Sequence, residues 1–505
     1  MEVLSALGSG FLVALTPLNL AMILFGCFTG TLIGALPGIG PINGVAILMP
    51  IAYALNFPPE TALILLTGVY YGAEYGGRVS SILLNVPGDA GAVMTTLDGN
   101  PMARQGKAAE ALALSCWSSF IGGTTAIILL TLIGPLLAKL AIAFGPAEYV
   151  ALMVFAFATL ASMVGTSAVK TLIGATIGLM IATVGVDSGT GVNRFTFGSP
   201  NLFDGIDFLV VVIGLFGISE LFTLLHEEGG EFLGATKLGR STLKMADLLA
   251  LKWTIVRSSL VGFIIGVLPG TGASVASAVT YGMEQRIAGA SGRFGEGDPR
   301  GLAAPEAANN ASAGGSLVPM LTLGVPGSGT TAILLGVLLL FNIQPGPLLF
   351  TQQPDLAWGL IASMYIGNVA LLVINLPLVG IFARLIMLPK AYLIPVIAVL
   401  TFIGVFSVSG STFDLYMMLA LGVLGFLLRK LNVSLAPVIL GVVLGEIFED
   451  NLRRALSISG GDWKVLFETP ATILLWVLAV LILFLPSLLG RFGRRKVEDT
   501  ETAAD

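Results

Sequence analysis

Long apolar segments constrain the fold of this chain more than any other feature. Crossing the hydrocarbon core of a bilayer takes about 20 mostly apolar residues, and twelve segments approach or exceed that length. They lie near residues 12–35, 108–138, 147–165, 168–186, 206–225, 253–268, 315–341, 355–382, 391–409, 411–428, 433–449 and 470–489. With 55% hydrophobic and 11% charged residues, the composition excludes a water-soluble domain. The sequence therefore predicts an all-α polytopic membrane protein with about 12 spans.

Two halves of the sequence resemble each other. Three matches occur in the same order: GALPGIGP from Gly34 with GVLPGTGA from Gly266, Val86 of SSILLNVPGDAGA with Val325 of VPMLTLGVPGSGT, and Gly174 of TLIGATIGL with Gly441 of PVILGVVLG. The apolar run 391–409 has no counterpart in the first half. These matches predict two pseudo-symmetric repeats, the second with one extra span.

The repeats define the expected domain organisation. Residues 1–225 form the first membrane repeat, 253–490 the second, 226–252 a charged connector and 491–505 a tail. Basic residues mark the connector and the tail as cytoplasmic; those of the connector are Lys237, Arg240, Lys244 and Lys252. The sequence leaves open whether the repeats are parallel or inverted, since both occur in transporters.

Proline and glycine interrupt each half twice. Leu-Pro-Gly occurs at 36–38 and 268–270, and Val-Pro-Gly at 86–88 and 325–327. Proline removes a backbone donor and clashes with the preceding turn, whereas glycine allows the positive φ of a reversal. Lipid does not tolerate such exposed backbone, so broken or re-entrant segments must lie inside the protein or line a cavity. Paired breaks in two halves are typical of a transporter binding site near the bilayer midplane.

Broken helices offer free N–H groups for an anion and free carbonyl groups for a cation. Small polar side chains near the breaks could complete an anion site without arginine. The candidate substrate-binding residues are Gly38, Gly40, Asn43, Ser80, Ser81, Asn85, Gly88, Gly270, Thr271, Gly272, Ser274, Gly327, Ser328, Thr330 and Thr331. The alternative is that the breaks are simple kinks and that the hydroxyl groups bond back to their own helices.

Few charged residues lie among the apolar segments, and each is a functional candidate because burying it is costly. Asp89 and Glu306 are the candidate ligands of a coupling ion, either Na⁺ or H⁺. Glu74 and Arg78 lie four residues apart, which allows either a structural ion pair or a role in substrate binding.

Metal and cofactor chemistry finds little support. The single histidine, His226, and two cysteines, Cys27 and Cys116, form no metal-ligand motif, and we expect no metal and no cofactor. A phosphate-binding GxxxxGK[ST] loop is absent from the sequence, so ATP is not the expected energy source.

The sequence resembles the large membrane subunit of the tripartite tricarboxylate transporters, the TctA family, over nearly its whole length. Its most specific motifs are GALPGIGP, SSILLNVPGDAGAVMTTLDGNPMARQGKAAEAL and APEAANNASAGGSLVPMLTLGVPGSGTTAILLG. The resemblance implies a bacterial inner-membrane protein, not an enzyme, that imports carboxylates using an ion gradient, as secondary transporters do, with a small membrane subunit of about four spans and a periplasmic solute-binding protein.

Two other functions are weighed against this one. A passive anion channel would share the same spans and breaks. An aspartyl intramembrane protease would need Asp89 to meet Asp187 or Asp98 and share a proton with it. The spacing is poor for a protease, because Ser328 stands in the second half where Asp89 stands in the first.

Overall fold

The computed structural model describes residues 2–163, 168–187, 189–226, 243–385 and 390–483. Most of the connector and the whole tail, with Lys237 and Arg240, therefore lie outside the described residues. The domain boundaries and the cytoplasmic location of these segments stay predictions.

Helices make up almost all of the regular structure in these residues. Those of the first half are α1 (Glu2–Ala14), α2 (Pro17–Ala35), α3 (Gly40–Ala54), α4 (Pro59–Leu84), α5 (Val93–Met102), α6 (Ala108–Ala141), α7 (Pro146–Met163), α8 (Ala168–Ala182), α9 (Phe208–Val212) and α10 (Ser219–His226). A short antiparallel hairpin, β1 (Gly185–Val186) and β2 (Asn193–Arg194), lies between α8 and α9. The π-helical segments Ala103–Lys107 and Ile213–Ile218 join α5 to α6 and α9 to α10.

The second half continues the helical pattern. Its helices are α11 (Met245–Ala250), α12 (Lys252–Val267), α13 (Gly272–Ala288), α14 (Pro299–Leu323), α15 (Gly329–Leu340), α16 (Leu349–Gln352), α17 (Pro354–Leu385), α18 (Lys390–Ser409), α19 (Thr412–Lys430), α20 (Leu435–Ile458) and α21 (Pro470–Leu483). Short 3₁₀ turns occupy Pro200–Leu202, Gly289–Ser291 and Trp463–Phe467.

The helical, membrane-spanning fold class is confirmed. Among the described residues, five helical segments are long and apolar enough to cross a membrane: Pro17–Ala35, Val93–Ala141, Phe208–His226, Pro354–Phe382 and Thr412–Lys430. Shorter apolar helices of 10–17 residues accompany them. The number of spans and the internal repeat stay predictions.

The two most buried long helices, α4 and α14, are poorly represented among the apolar runs of the sequence. None of the twelve apolar segments expected from the sequence covers residues 59–84. One of them, 315–341, joins the end of α14 and the whole of α15 into a single span. Helix α14 instead ends at Leu323, with Gly324 in the left-handed region at φ 69°, and α15 begins at Gly329. Both helices carry polar and charged residues along largely buried surfaces. A helix surrounded by protein has no need of a lipid-like surface, so hydropathy underestimates it.

Small residues bring these central helices close to their neighbours. A methyl group on Gly34 of α2 would collide with the backbone of Ala73 in α4, and one on Gly266 of α12 would collide with the backbone of Ser312 in α14. This is the small-residue packing that membrane helices use to approach each other. This close packing holds the ends of α2 and α12, at residues 35 and 267, against α4 and α14. The Leu-Pro-Gly breaks follow directly after these two helix ends.

Candidate functional site

The four helix breaks pair up within each half. α2 ends at Ala35 and the chain resumes as α3 at Gly40, and the same interruption separates α12 from α13. The Gly38 N–H donates to the Gly88 carbonyl oxygen at 3.1 Å, and the Gly270 N–H donates to the Gly327 carbonyl oxygen at 2.9 Å. Gly38 and Gly270 have φ values of 84° and 79°, which favour glycine. Each Leu-Pro-Gly break is thus tied to the Val-Pro-Gly break of its own half.

All four breaks border one cavity of about 370 Å³. The first turns of α3 and α13 form two of its walls, and the segments 89–91 and 328–330 form others. Of the residues proposed from the sequence, the structure brings the following to this cavity: Gly38, Gly40, Asn43, Asp89, Gly270, Thr271, Gly272, Ser274, Ser328 and Thr330. We call it the central cavity.

The remaining serine and threonine candidates do not line the central cavity. Ser80 and Ser81 donate to the Gly77 carbonyl oxygen at 3.2 and 2.9 Å, within α4. Thr331 forms a capping box with Ser328 at the start of α15. In this structure their hydroxyl groups therefore bond within or next to their own helices, and their role in substrate binding stays a prediction.

The other candidates outside the lining support the breaks through their backbone. Gly88 and Gly327 supply the carbonyl acceptors described above. Asn85 ends α4 in the left-handed conformation and borders a separate surface cavity with Asn100 and Arg104.

Hydroxyl groups within the cavity differ in their availability. Thr271 donates to the Ile265 and Leu268 carbonyl oxygens at 2.5 and 3.0 Å, so its hydroxyl group caps the end of α12. Ser274 and Thr330 have no protein hydrogen-bond partner among the described residues. These two hydroxyl groups are the ones free to meet a bound molecule.

Arg429 also lines the central cavity, although the sequence favoured an anion site without arginine. It lies near the end of α19 and forms an ion pair with Glu220 of α10. The same Glu220 carboxylate accepts a hydrogen bond from Asn43 Nδ2 at 3.1 Å. No local motif links residues so far apart in the sequence, so only the packing of α10 against α19 reveals them.

Two carboxyl groups face the cavity, Glu74 from α4 and Asp89 from the break after it. Asp89 Oδ1 accepts the Ala92 N–H at 2.9 Å. Glu74 is 3% exposed, and its Oε2 atom has no hydrogen-bond partner in the described ranges.

The ion pair considered for Glu74 and Arg78 does not form. Arg78 instead donates to Asn375 Oδ1 at 3.0 Å and lies over the ring of Tyr75. Asn375 of α17 and the neighbouring Tyr75 of α4 hold the guanidinium group away from the cavity, although spacing alone would allow pairing with Glu74.

Glu306, the second candidate ligand of a coupling ion, does not border the central cavity. Its two carboxylate oxygens accept hydrogen bonds from Thr95 at 2.5 Å and from Ser119 at 2.8 Å. These bonds tie α14 to α5 and α6, which makes Glu306 a link between helices in this conformation.

Comparison with known proteins agrees with the motifs. The family model described as Tripartite tricarboxylate transporter TctA family matches residues 20–440. The chain belongs to the TctA family. The resemblance found in the sequence is thereby confirmed, and this TctA protein is a membrane subunit of a tripartite tricarboxylate transport system rather than an enzyme.

Two relatives of this TctA protein come from Agrobacterium vitis. One, described as "Uncharacterized 52.8 kDa protein in TAR-I ttuC' 3'region", is 41% identical over 502 residues, which is 99% of this chain and 100% of the relative. The other, "Uncharacterized protein in TAR-II ttuC' 3'region", is 41% identical over 241 residues, 47% of this chain and 100% of the relative. No solved structure matches.

The acid pairs considered for a protease are not formed in this TctA protein. Asp98 accepts the Tyr281 hydroxyl at 2.9 Å and three backbone N–H groups from the segment 295–298. Asp187 pairs with Arg453 at 2.8 Å. Each aspartate thus has a structural task away from Asp89.

Proposed function

We propose that this TctA protein is the translocation subunit of an importer that moves tricarboxylates or related carboxylates across the bacterial inner membrane. The central cavity is the observation that carries the proposal, because it gathers four helix breaks from both halves of the chain. An ion gradient would drive the import, with Na⁺ or H⁺ as the coupling ion. A small membrane subunit and a periplasmic solute-binding protein would complete the system.

Helix geometry supports an anionic substrate. α3 and α13 begin at Gly40 and Gly272, and their first turns border the cavity. The first four N–H groups of a helix have no partner within it, and the helix dipole adds partial positive charge there. Two such ends around one cavity suit a molecule with more than one carboxylate group.

Side chains would complete the substrate site. Ser274 and Thr330 offer hydroxyl donors, and Asn43 is held at the wall by Glu220. Arg429 adds a guanidinium group that matches the planar shape of a carboxylate. These groups recognise the carboxylate rather than the rest of the molecule, so the binding protein would contribute much of the selectivity.

Reconstitution in proteoliposomes tests this function. The chain, its membrane partner and its binding protein should accumulate citrate, used as the probe tricarboxylate, when an inward Na⁺ or proton gradient is imposed. Omitting the partners should reduce uptake strongly. A passive anion channel would instead equilibrate citrate at the same rate with and without either gradient. Failure to move citrate, isocitrate or a dicarboxylate under any gradient would refute the proposal.

A further inference from the structure

The central cavity contains two carboxyl groups that pair with no basic side chain of the described residues, and this feature needs an explanation. Glu74 and Asp89 both line the wall of this one cavity. Asp89 packs against α4 within one turn of Glu74, since a methyl group on Gly77 would lie 3.0 Å from Asp89 Oδ1. Two carboxylates held in one small cavity repel each other, and this favours a proton or a bound cation at the pair.

Unpartnered oxygen atoms around the pair point to a ligand. Within the part of the chain that the structure describes, Glu74 Oε2 and the side-chain oxygens of Asn43 and Asn309 have no hydrogen-bond partner, although these three residues are at least 95% buried. Asn43 lines the cavity, and Asn309 Oδ1 packs against Gly91 in its wall. Buried oxygens of this kind normally have a donor or a cation beside them.

The other charged groups nearby are already paired or lie further away. Arg429 forms an ion pair with Glu220. Arg78 is bonded to Asn375, and Glu306 of α14 to hydroxyl groups. The remaining titratable neighbours are the phenol groups of Tyr70 and Tyr71 on α4, which carry no positive charge in either protonation state.

We propose that Glu74 and Asp89 together form the site of the coupling cation, and that a proton or Na⁺ must occupy this pair before an anion can enter the central cavity. The proposal rests on the function proposed above and changes its coupling residues, because Glu74 replaces Glu306 as the partner of Asp89. The physical reason is electrostatic. An anionic substrate entering beside two ionised carboxylates would be repelled, whereas a neutralised pair leaves the helix ends and Arg429 to attract it.

Infrared spectroscopy of the full chain in nanodiscs tests the cation site without any substrate. A protonated pair should give a carboxylic-acid band that disappears between about pH 4 and pH 9. A Na⁺ site should instead give a carboxylate band that changes when NaCl replaces choline chloride at constant pH. Either signal should be lost in both Glu74→Gln and Asp89→Asn. The control is Glu60→Gln, the same change at the first turn of the same helix, outside the cavity.

Citrate binding to the same samples tests the gating. In the wild type and in Glu60→Gln, affinity should rise about 5- to 150-fold when the effective cation is supplied. Glu74→Gln should bind citrate with little cation dependence and exchange it across liposomes without accumulating it. If Glu74→Gln does not fold, Asp89→Asn replaces it in these measurements, because Asp89 is partly exposed and its substitution should disturb the fold less.

The outcomes separate the two proposals. The cation site would be overturned if Glu74→Gln kept the infrared bands of the wild type and their dependence on pH or Na⁺. This holds whether or not the variant transports citrate. An effect confined to Asp89→Asn would also overturn it, because the pair requires both residues. A cation signal that both variants abolish, in a wild-type chain that neither binds nor transports carboxylates, would support the pair and refute the proposed function.

Discussion

Gly270→Ala tests the helix breaks most sharply, because the two matched glycines have the same backbone conformation but different surroundings. At φ 79° a Cβ atom costs roughly 1–2 kcal/mol. The new methyl group would also overlap the side chain of Leu160 in α7, and such overpacking costs about 1–3 kcal/mol. We therefore expect Gly270→Ala to lower the free energy of unfolding by about 2–5 kcal/mol.

Gly38→Ala should lower the free energy of unfolding less than Gly270→Ala does, but its citrate uptake should fall further relative to that loss of stability. Its φ of 84° carries the same strain of roughly 1–2 kcal/mol, but the nearest atom to its Cβ would be Glu220 Oε1 at 3.9 Å. The methyl group would stand at the cavity wall beside the carboxylate that holds Arg429 and Asn43. Citrate uptake should therefore fall by more than the loss of folded protein explains.

Gly282→Ala is the matched control within α13. It has a helical φ and no atom within 4 Å of its Cβ, so alanine should stabilise the protein by about 0.5–1 kcal/mol. The three variants and the wild type are unfolded in detergent by denaturant titration, and uptake is measured in parallel. From most to least stable, we expect the order Gly282→Ala, wild type, Gly38→Ala, Gly270→Ala. Equal stability of Gly38→Ala and Gly270→Ala, or stabilisation by either, would refute this reasoning.

Three further predictions concern polar contacts. Arg429→Gln should destabilise the chain because it removes the guanidinium group that pairs with the buried Glu220 carboxylate, and it should weaken citrate binding by more than the loss of folded protein explains; unchanged citrate affinity of the folded variant would remove Arg429 from the substrate site. A cysteine at Asn43 should be protected by citrate from a water-soluble thiol reagent, and equal labelling with and without citrate would contradict a site there. Hydrogen bonds from Arg453 and a backbone N–H hold the pKa of Asp187 well below its usual range, so its stabilisation of the hairpin is complete above about pH 4 and is lost only as pH falls through the lowered value; Asp187→Asn should speed hydrogen exchange in the hairpin at pH 7, and unchanged exchange would show that the bond does not anchor it.

Local sequence signals were sufficient to find the breaks. Proline and glycine act within a turn of their own position, so Leu-Pro-Gly and Val-Pro-Gly specify interruptions whatever surrounds them. The breaks at 36–38 and 268–270 occur where the sequence places them, between α2 and α3 and between α12 and α13. Hydropathy also identified the chain as a membrane protein. It is summed over about 20 residues, so single polar residues do not change the result.

Side-chain partners were much harder to predict, because they depend on how helices rotate and pack. Spacing allowed Glu74 to pair with Arg78, but Asn375 of α17 binds the guanidinium group instead. Hydroxyl groups near a break were equally ambiguous. Thr271 caps the end of α12, whereas Thr330 lines the cavity and its hydroxyl group bonds to no other described residue. The sequence offered no signal to separate these two roles.

The two halves share backbone hydrogen bonds at their helix breaks but differ in the side chains there, and the duplication that the sequence predicts offers a reason. The bonds from Gly38 to Gly88 and from Gly270 to Gly327 set the shape of each pair of breaks, so both halves need them. Both pairs of breaks border the same central cavity, and under the proposal one set of carboxyl groups is enough to bind the coupling cation. Asp89 can therefore face Ser328 at the matching position without a second acid. A third carboxylate, at the Ser328 position, would add negative charge to a cavity that already holds Glu74 and Asp89, and under the proposed function it would repel the anionic substrate.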